Sequence, residues 1–182
     1  MIRIFNNVMS SLLHKAGLLG LAMTCAMLSL PSCKVYTFKD VSIPNEVKTI
    51  RINYIENRAQ YVDPQLSPQL TDKLKQKITN QTKLTQVESE DADYFVQGYI
   101  SQYNVSTSGV TNQQAASNRL TVSVHITFKN RLAVGTKDFD TELTRNFDFS
   151  ASLTINDAEA QLTPTIVSNL TDEIFNKLFS NW

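Results

Sequence analysis

Few side chains in this sequence have the type and spacing that catalysis requires. His125 stands between Ser123 and Thr127 on alternate positions of a β-like segment, where a histidine could act as a general base. These neighbours form no recognised triad, and the sequence has no P-loop, no glycine-rich dinucleotide turn and no cysteine–histidine cluster. We therefore expect His125 to be a solvated surface histidine, and we predict no catalytic residues.

Three cations lie on or near the polar face of the same segment. Arg119, Lys129 and Arg131 could bind phosphate groups, and a guanidinium does so with a two-point geometry that lysine lacks. Because Arg119, His125 and Lys129 are separated by even numbers of residues, they project from one side of a strand. These four residues are our candidate contacts to a partner. The alternative is ordinary surface charge or, for Arg119, a salt bridge inside the domain.

Closely spaced carboxylates precede this region, at Glu88, Glu90, Asp91 and Asp93. Such a cluster could bind calcium or take part in acid–base catalysis. The spacing does not match an EF-hand loop, however. We therefore expect a solvated turn and predict no metal site.

The thiol of Cys33 follows an apolar run and suggests a different chemistry. Leu30-Pro31-Ser32-Cys33 resembles a bacterial lipobox, with leucine and serine in the expected places and proline as a less common choice. In a lipobox the thiol is acylated with diacylglycerol, and cleavage then leaves the cysteine as the first residue. We predict lipid attachment at Cys33, since two or more acyl chains anchor a protein stably. The alternatives are an ordinary signal peptide with a leftover thiol, or a short membrane-anchored helix.

Residues 1–32 have the layout of a cleaved lipoprotein signal peptide. The first 15 residues include Arg3 and Lys15 and no acidic residue, and the run 16–30 is uncharged. That run is shorter than the roughly 20 residues that a bilayer-spanning helix needs. The segment is therefore interpreted as an export signal.

Cleavage would leave residues 33–182, which suit one domain with its own core. Cys25 is removed with the signal, so the mature domain has no thiol available for a disulfide, a metal or a nucleophile. Two of the 17 basic residues and none of the 17 acidic ones are removed, so the mature charge is about −2. This balance gives no reason to expect nucleic acid binding.

Hydrophobic periodicity predicts four strands, at residues 47–55, 94–105, 119–131 and 138–151. Apolar residues four apart predict one helix over 64–80 and another at the end of the chain, through Leu66, Leu70, Leu74, Ile78 and Leu162, Ile166, Leu170, Ile174, Leu178. Ser67-Pro68 is expected to begin the first helix, Pro164 to open or kink the last, and residues 106–117 to form a loop.

The order β-α-β-β-β-α predicts an α/β two-layer sandwich, in which a four-stranded mixed sheet has both helices packed on one face. The segment 119–131 is half polar. We therefore expect the second face of the sheet to meet water or a partner.

Short segments in order along residues 33–182 resemble the LptE family of lipopolysaccharide-assembly lipoproteins, in the form typical of Bacteroidetes. They are Ile52-Asn53-Tyr54, Glu56-Asn57-Arg58-Ala59, Pro64-x-Leu66-Ser67, Gln81-Thr82-x-Leu84, Gly98-Tyr99-Ile100 with Tyr103, Ala116-Ser117-Asn118-Arg119-Leu120-Thr121-Val122, and Ile174-Phe175-Asn176 with Phe179, Asn181 and Trp182. The resemblance implies a lipid-anchored periplasmic domain at the outer membrane, which plugs a large LptD β-barrel and helps deliver lipopolysaccharide to the outer leaflet.

The family is not enzymatic, and the resemblance implies no cofactor beyond the covalent N-acyl diacylglycerol on Cys33. Lipopolysaccharide is a further potential partner. Lipopolysaccharide contacts of distant relatives rest on basic residues that do not align here, so none is carried over. Two alternatives stay open at this point: an accessory or pilotin lipoprotein of another envelope complex, and an enzyme with an unusual site, which a deep pocket with convergent polar groups would favour.

Overall fold

In this computed structural model, residues 43–61, 63–111 and 114–179 are described. The predicted signal 1–32 and the lipid site at Cys33 lie outside these ranges, so both stay predictions. No helix in the described part of the chain combines the length and the apolar character needed to cross a bilayer.

The elements follow one another in the order strand, helix, strands, helix that the sequence predicts, with two short strands added. They are β1 Thr49–Ile52, β2 Glu56–Asn57, α1 Leu66–Gln81, β3 Thr85–Gln86, β4 Tyr94–Thr111, β5 Gln114–Asn130, β6 Phe139–Ser150 and α2 Ile155–Phe179.

Among the described residues the sheet has six strands, so the prediction of four was wrong. The strand order is β3-β1-β4-β5-β6, and β2 pairs separately with β4. Strand β1 runs parallel to β3 and β4, whereas β4, β5 and β6 are antiparallel. The two added strands, β2 and β3, have two residues each and are too short to produce an alternating pattern. The α/β class and the mixed sheet are confirmed.

Strands β4 and β5 form a long hairpin that includes most of the segment predicted as a loop. They pair from Tyr94 opposite Asn130 to Thr111 opposite Gln114. Residues 106–117 are polar, which favoured a loop, but strand pairing uses backbone groups and needs no apolar face. On the hairpin's outer part, Val105 and Val110 are 41% and 68% exposed. This part of the sheet is thus left without a helix covering it.

Both helices pack their apolar stripes on one face of the sheet, as predicted. The side chains of Leu70, Leu74, Leu170 and Ile174 are fully buried. They join the inward residues of the strands in a single apolar core. Because successive strand residues point to opposite faces, the other face of the sheet is left for polar side chains.

Helix α1 begins two residues earlier than the cap prediction placed it. It starts at Leu66 after Gln65, and the Asp63 carboxylate accepts a hydrogen bond from the backbone N–H of Gln65 at 2.8 Å. Ser67 is therefore not the N-cap. Pro68 lies in the first turn, where a backbone N–H has no partner inside the helix and its loss is tolerated.

Helix α2 begins at Ile155, ahead of Pro164, which lies inside it. Thr154 caps the helix: its hydroxyl donates to Asp157 Oδ2 at 2.7 Å and accepts from the backbone N–H of Asp157 at 3.2 Å. This reciprocal arrangement resembles a capping box and stabilises the first turn. Of the two alternatives for Pro164, opening the helix is excluded, because the helix already begins after Thr154.

Candidate functional site

Strand β5 carries Arg119, His125 and Lys129 on one side, as their even spacing predicts. The residues between them on the opposite side, Leu120, Val122, Val124, Ile126 and Phe128, are completely buried in the core. Strand β6 lies antiparallel beside β5, and aspartates on or next to β6 lie close to these three side chains. We call this surface, with its cations on β5 and its aspartates on or next to β6, the polar sheet face.

The guanidinium of Arg119 is held by Asp148 on β6, directly opposite. Nε donates to Oδ1 at 2.7 Å and Nη2 donates to Oδ2 at 2.9 Å. The hydrogen bonds to Asp148 raise the pKa of Arg119, and the same hydrogen bonds lower the pKa of Asp148. The two-point geometry considered for a phosphate is therefore already satisfied by a carboxylate of the same domain.

His125 lies between an aromatic ring and a carboxylate. Its Nε2 is 2.7 Å from Asp140 Oδ1, and its ring stacks on Tyr99 with centroids 5.0 Å apart. The guanidinium of Arg58 also lies over the Tyr99 ring, 4.6 Å from its centroid. The side chains of Arg58, Tyr99 and His125 thus contact one another through their planar groups. These contacts, like the one with Asp140, are of the kind that stabilises the fold.

The remaining two cations also have acidic neighbours. Lys129 Nζ lies 3.2 Å from Asp138 Oδ2, and the pKa of Asp138 is lowered chiefly by the backbone N–H of Asn130 and then by Lys129. Arg131, one residue beyond β5, lies 3.7 Å from Asp93 and 3.8 Å from Asp91.

The acidic segment before β4 is a turn that holds two strands together. Asp93 Oδ2 accepts hydrogen bonds from the backbone N–H groups of Lys48 and Thr49, at 2.9 and 3.0 Å. These backbone hydrogen bonds lower the pKa of Asp93, with further contributions from the Thr49 hydroxyl and Arg131. Within residues 43–61, 63–111 and 114–179, no group of His, Cys, Asp or Glu is arranged to hold a metal ion.

Each of the four candidate residues therefore lies within 4 Å of an aspartate of its own domain. The intervening polar residues are linked in the same way: Thr121 bonds to Asn146 and Ser123 to Thr144, both at 2.8 Å. The polar sheet face is thus a cross-strand network in which Arg119 and Lys129 are paired with aspartates and the polar side chains between them are hydrogen-bonded. Its direct contact with a partner stays a prediction.

A groove that the sequence does not predict lies on the opposite, helix-bearing side of the sheet. It has a volume of about 660 Å³ and lies where the long hairpin extends past the start of α2. Its apolar lining consists of Tyr61, Tyr103, Val105, Phe149, Leu153 and Ile155. We call it the hairpin groove. The groove depends on where β4, β6 and α2 end, which the sequence does not reveal. The aromatic residues Tyr61 and Tyr103 were the one feature of the sequence that could have pointed to it.

Several solved structures from bacteria are similar to this chain. A crystal structure of a protein from Xanthomonas campestris has a TM-score of 0.51 at 9% identity, covering 76% of this chain and 87% of that chain, and it shares the fold. A solution structure of an uncharacterized lipoprotein B from Nitrosomonas europaea has a TM-score of 0.49 at 13% identity, covering 74% and 83%. The rare lipoprotein B from Shewanella oneidensis has a TM-score of 0.43 at 12% identity, covering 70% and 89%.

At the sequence level, no curated protein matches this chain. The LptE family model, described as lipopolysaccharide-assembly, matches residues 47–178. That match runs from the residues before β1 to the last turn of α2 and covers well over half of the chain. The family resemblance read from the sequence is confirmed: this chain belongs to the LptE lipopolysaccharide-assembly family.

Proposed function

We propose that this protein is a lipid-anchored subunit of lipopolysaccharide assembly at the outer membrane, where it plugs an LptD-type β-barrel from the periplasmic side. The family membership supports lipopolysaccharide assembly as the process. The proposal adds three points to this process: the barrel partner, the plug role and the outer-membrane location.

The observation that carries the plug role is the pairing of charges on the polar sheet face. The lumen of a large outer-membrane barrel is polar and hydrated, so a domain that enters it needs a polar outer surface. Enclosing an unpaired charge would strip part of its water and be unfavourable. Arg119, His125, Lys129 and Arg131 already have aspartate neighbours. A barrel can therefore enclose this face without removing water from a charge that has no partner.

The predicted lipid on Cys33 would keep the domain at the membrane that holds the barrel. Tethering two proteins to one membrane raises their effective concentration and strengthens a modest interface. Two or more acyl chains would make the attachment stable without a spanning helix. In this role the protein acts by binding and catalyses no reaction.

Depletion of the protein tests the proposal. We expect newly made lipopolysaccharide to fall at the cell surface and to accumulate in the inner membrane, with increased outer-membrane permeability. Expression of the wild-type chain should restore surface lipopolysaccharide, and Cys33→Ala should restore it poorly. Normal surface lipopolysaccharide after depletion, with loss of a different envelope complex, would contradict the proposal and favour an accessory or pilotin role.

A further inference from the structure

The hairpin groove opens beside a strand edge that no described strand occupies. Strand β2 pairs with β4 only at Tyr99 and Ile100, and the backbone N–H of Arg58 donates to Ile100 O at 2.9 Å. Beyond that point, within the described part of the chain, β4 has a partner on one side only, which is β5. An edge of this kind presents backbone donors and acceptors that can pair with another strand.

A buried tyrosine of the groove lining lies beside the carboxylate of Glu159. Tyr103 is 3% exposed, and a hydrogen bond to Glu159 contributes to its raised pKa. Glu159 Oε1 is also buried, and Glu159 Oε2 accepts a long hydrogen bond of 3.5 Å from the lining residue Tyr61. Two tyrosine hydroxyls therefore approach Glu159, but neither compensates the charge of its carboxylate.

Two carboxylates, those of Asp63 and Glu159, lie near the lining tyrosines Tyr61 and Tyr103 and raise their pKa values. Asp63 is 4% exposed, and neither it nor Glu159 forms an ion pair with a cation of the described residues. Burial raises the pKa of Tyr103, with further contributions from Glu159 and Asp63. An occupant that brings a positive charge near these carboxylates would be favoured electrostatically.

We propose that an extended polypeptide segment of the barrel partner adds to the free edge of β4, places an apolar side chain in the hairpin groove and directs a lysine or arginine to Glu159. The identity of the partner rests on the proposed function. Strand addition of this kind gains affinity from backbone hydrogen bonds and specificity from pockets for alternate side chains.

A phosphorylated glycolipid fits the same groove less well. Its acyl chains would match the apolar lining, but they offer no donors to the β4 edge or to Glu159. Its phosphates would meet the carboxylates of Asp63 and Glu159, and like charges at close range repel. The carboxylates of Asp63 and Glu159 and the unpaired backbone groups of β4 therefore both favour a cationic polypeptide.

Photo-crosslinking in the full lipid-anchored protein tests this inference. Benzoylphenylalanine is placed singly at Tyr61 or Val105, which are 43% and 41% exposed, and at Leu132 as the control, which is 38% exposed beyond the other end of β5. We expect the groove positions, and not the control, to form adducts with the co-purified barrel. Mass spectrometry should map each adduct to an extended segment containing lysine or arginine.

Two results would overturn the inference: adducts only with lipopolysaccharide, or no groove adduct although the barrel is recovered. In both cases the proposed function would stand. If the wild-type protein recovers no barrel at all, the proposed function fails and the inference fails with it.

The charge part is tested with Glu159→Gln in the Val105 crosslinking background. We expect adduct yield to fall about tenfold, the size of effect typical of a lost hydrogen bond to a charged group. Glu88→Gln, an exposed glutamate before β4, is the matched control and should leave the yield unchanged. Unchanged melting temperatures in both variants exclude misfolding. An unchanged adduct yield with Glu159→Gln would show that no lysine or arginine of the partner binds Glu159.

Discussion

Arg119 and Asp148 form a two-point ion pair across β5 and β6, with Nε–Oδ1 and Nη2–Oδ2 distances of 2.7 and 2.9 Å. In the sequence Arg119 is the best candidate for a phosphate ligand, yet its guanidinium already binds the carboxylate of Asp148. A partner of this face would therefore meet a hydrogen-bonded surface of paired charges instead of a row of free cations.

Replacing Arg119 and Lys129 together by Glu should weaken recovery of the barrel while the domain stays folded. The substitutions place new carboxylates beside Asp148 and Asp138 and leave the polar sheet face strongly acidic. Both positions are exposed, so stability should change little. Barrel recovery and the melting temperature are measured side by side. A large loss of melting temperature would instead support a purely structural role.

A charge swap separates charge pairing on the face from direct contact by Arg119. Arg119→Asp combined with Asp148→Arg rebuilds the ion pair in the opposite direction. We expect this variant to recover the barrel as well as the wild type. If the swap recovers no more barrel than the glutamate double variant, Arg119 itself contacts the partner.

Leu74→Ala and Leu170→Ala should each lower the free energy of unfolding by about 2–5 kcal/mol. Both side chains are fully buried where the helices pack on the sheet, so truncation leaves a cavity that the surroundings fill incompletely. Urea unfolding measures the change. Leu132→Ala is the control, since Leu132 is a partly exposed loop residue outside the core, and its truncation should change stability by less than about 0.5 kcal/mol. If Leu74→Ala and Leu170→Ala lower the free energy of unfolding as little as this control does, the assignment of the buried helical faces is wrong.

The carboxylate of Asp93 should make the domain sensitive to acid. Its pKa in the folded state lies below the usual 3.8, chiefly because backbone N–H groups at Lys48 and Thr49 bond to the ionised form. A lowered folded-state pKa contributes stability above the unfolded value, and that stability is lost as pH falls through the folded pKa. The stability difference between wild type and Asp93→Asn should therefore be largest near neutral pH and shrink below about pH 4.

Urea unfolding of both proteins between neutral pH and about pH 3 measures this difference. Asp91→Asn, on the same turn and exposed, is the control and should show a smaller difference at every pH. A difference that stays constant across the range would mean that the Asp93 hydrogen bonds contribute equally in the neutral form.

The long elements could be predicted because their side chains repeat with a clear period. Leu70 and Leu74 mark one face of α1, and the alternation from Leu120 to Phe128 marks β5, since burial of one face imposes those periods. The register between strands leaves no such signal. Nothing in the sequence alone pairs Arg119 with Asp148, so the charge pairing on the polar sheet face emerged only from the structure.

Short or polar elements escaped prediction for related reasons. Strands β2 and β3 pair two residues each, too few for a pattern. The outer hairpin is rich in serine and threonine, and its pairing depends on backbone groups that composition does not reveal. The hairpin groove combines residues far apart in the chain, such as Tyr61 and Ile155, and so required the tertiary structure.

The central claim is that this protein binds a large outer-membrane β-barrel, and affinity purification tests it most directly. The full chain with a C-terminal tag is purified from detergent-solubilised outer membranes, and the co-purifying proteins are identified by mass spectrometry. We predict recovery of an LptD-type barrel in near-equal amounts, reduced by the Arg119→Glu, Lys129→Glu double variant. Purification of the folded, wild-type protein without such a barrel, or with a different envelope complex, would contradict the account.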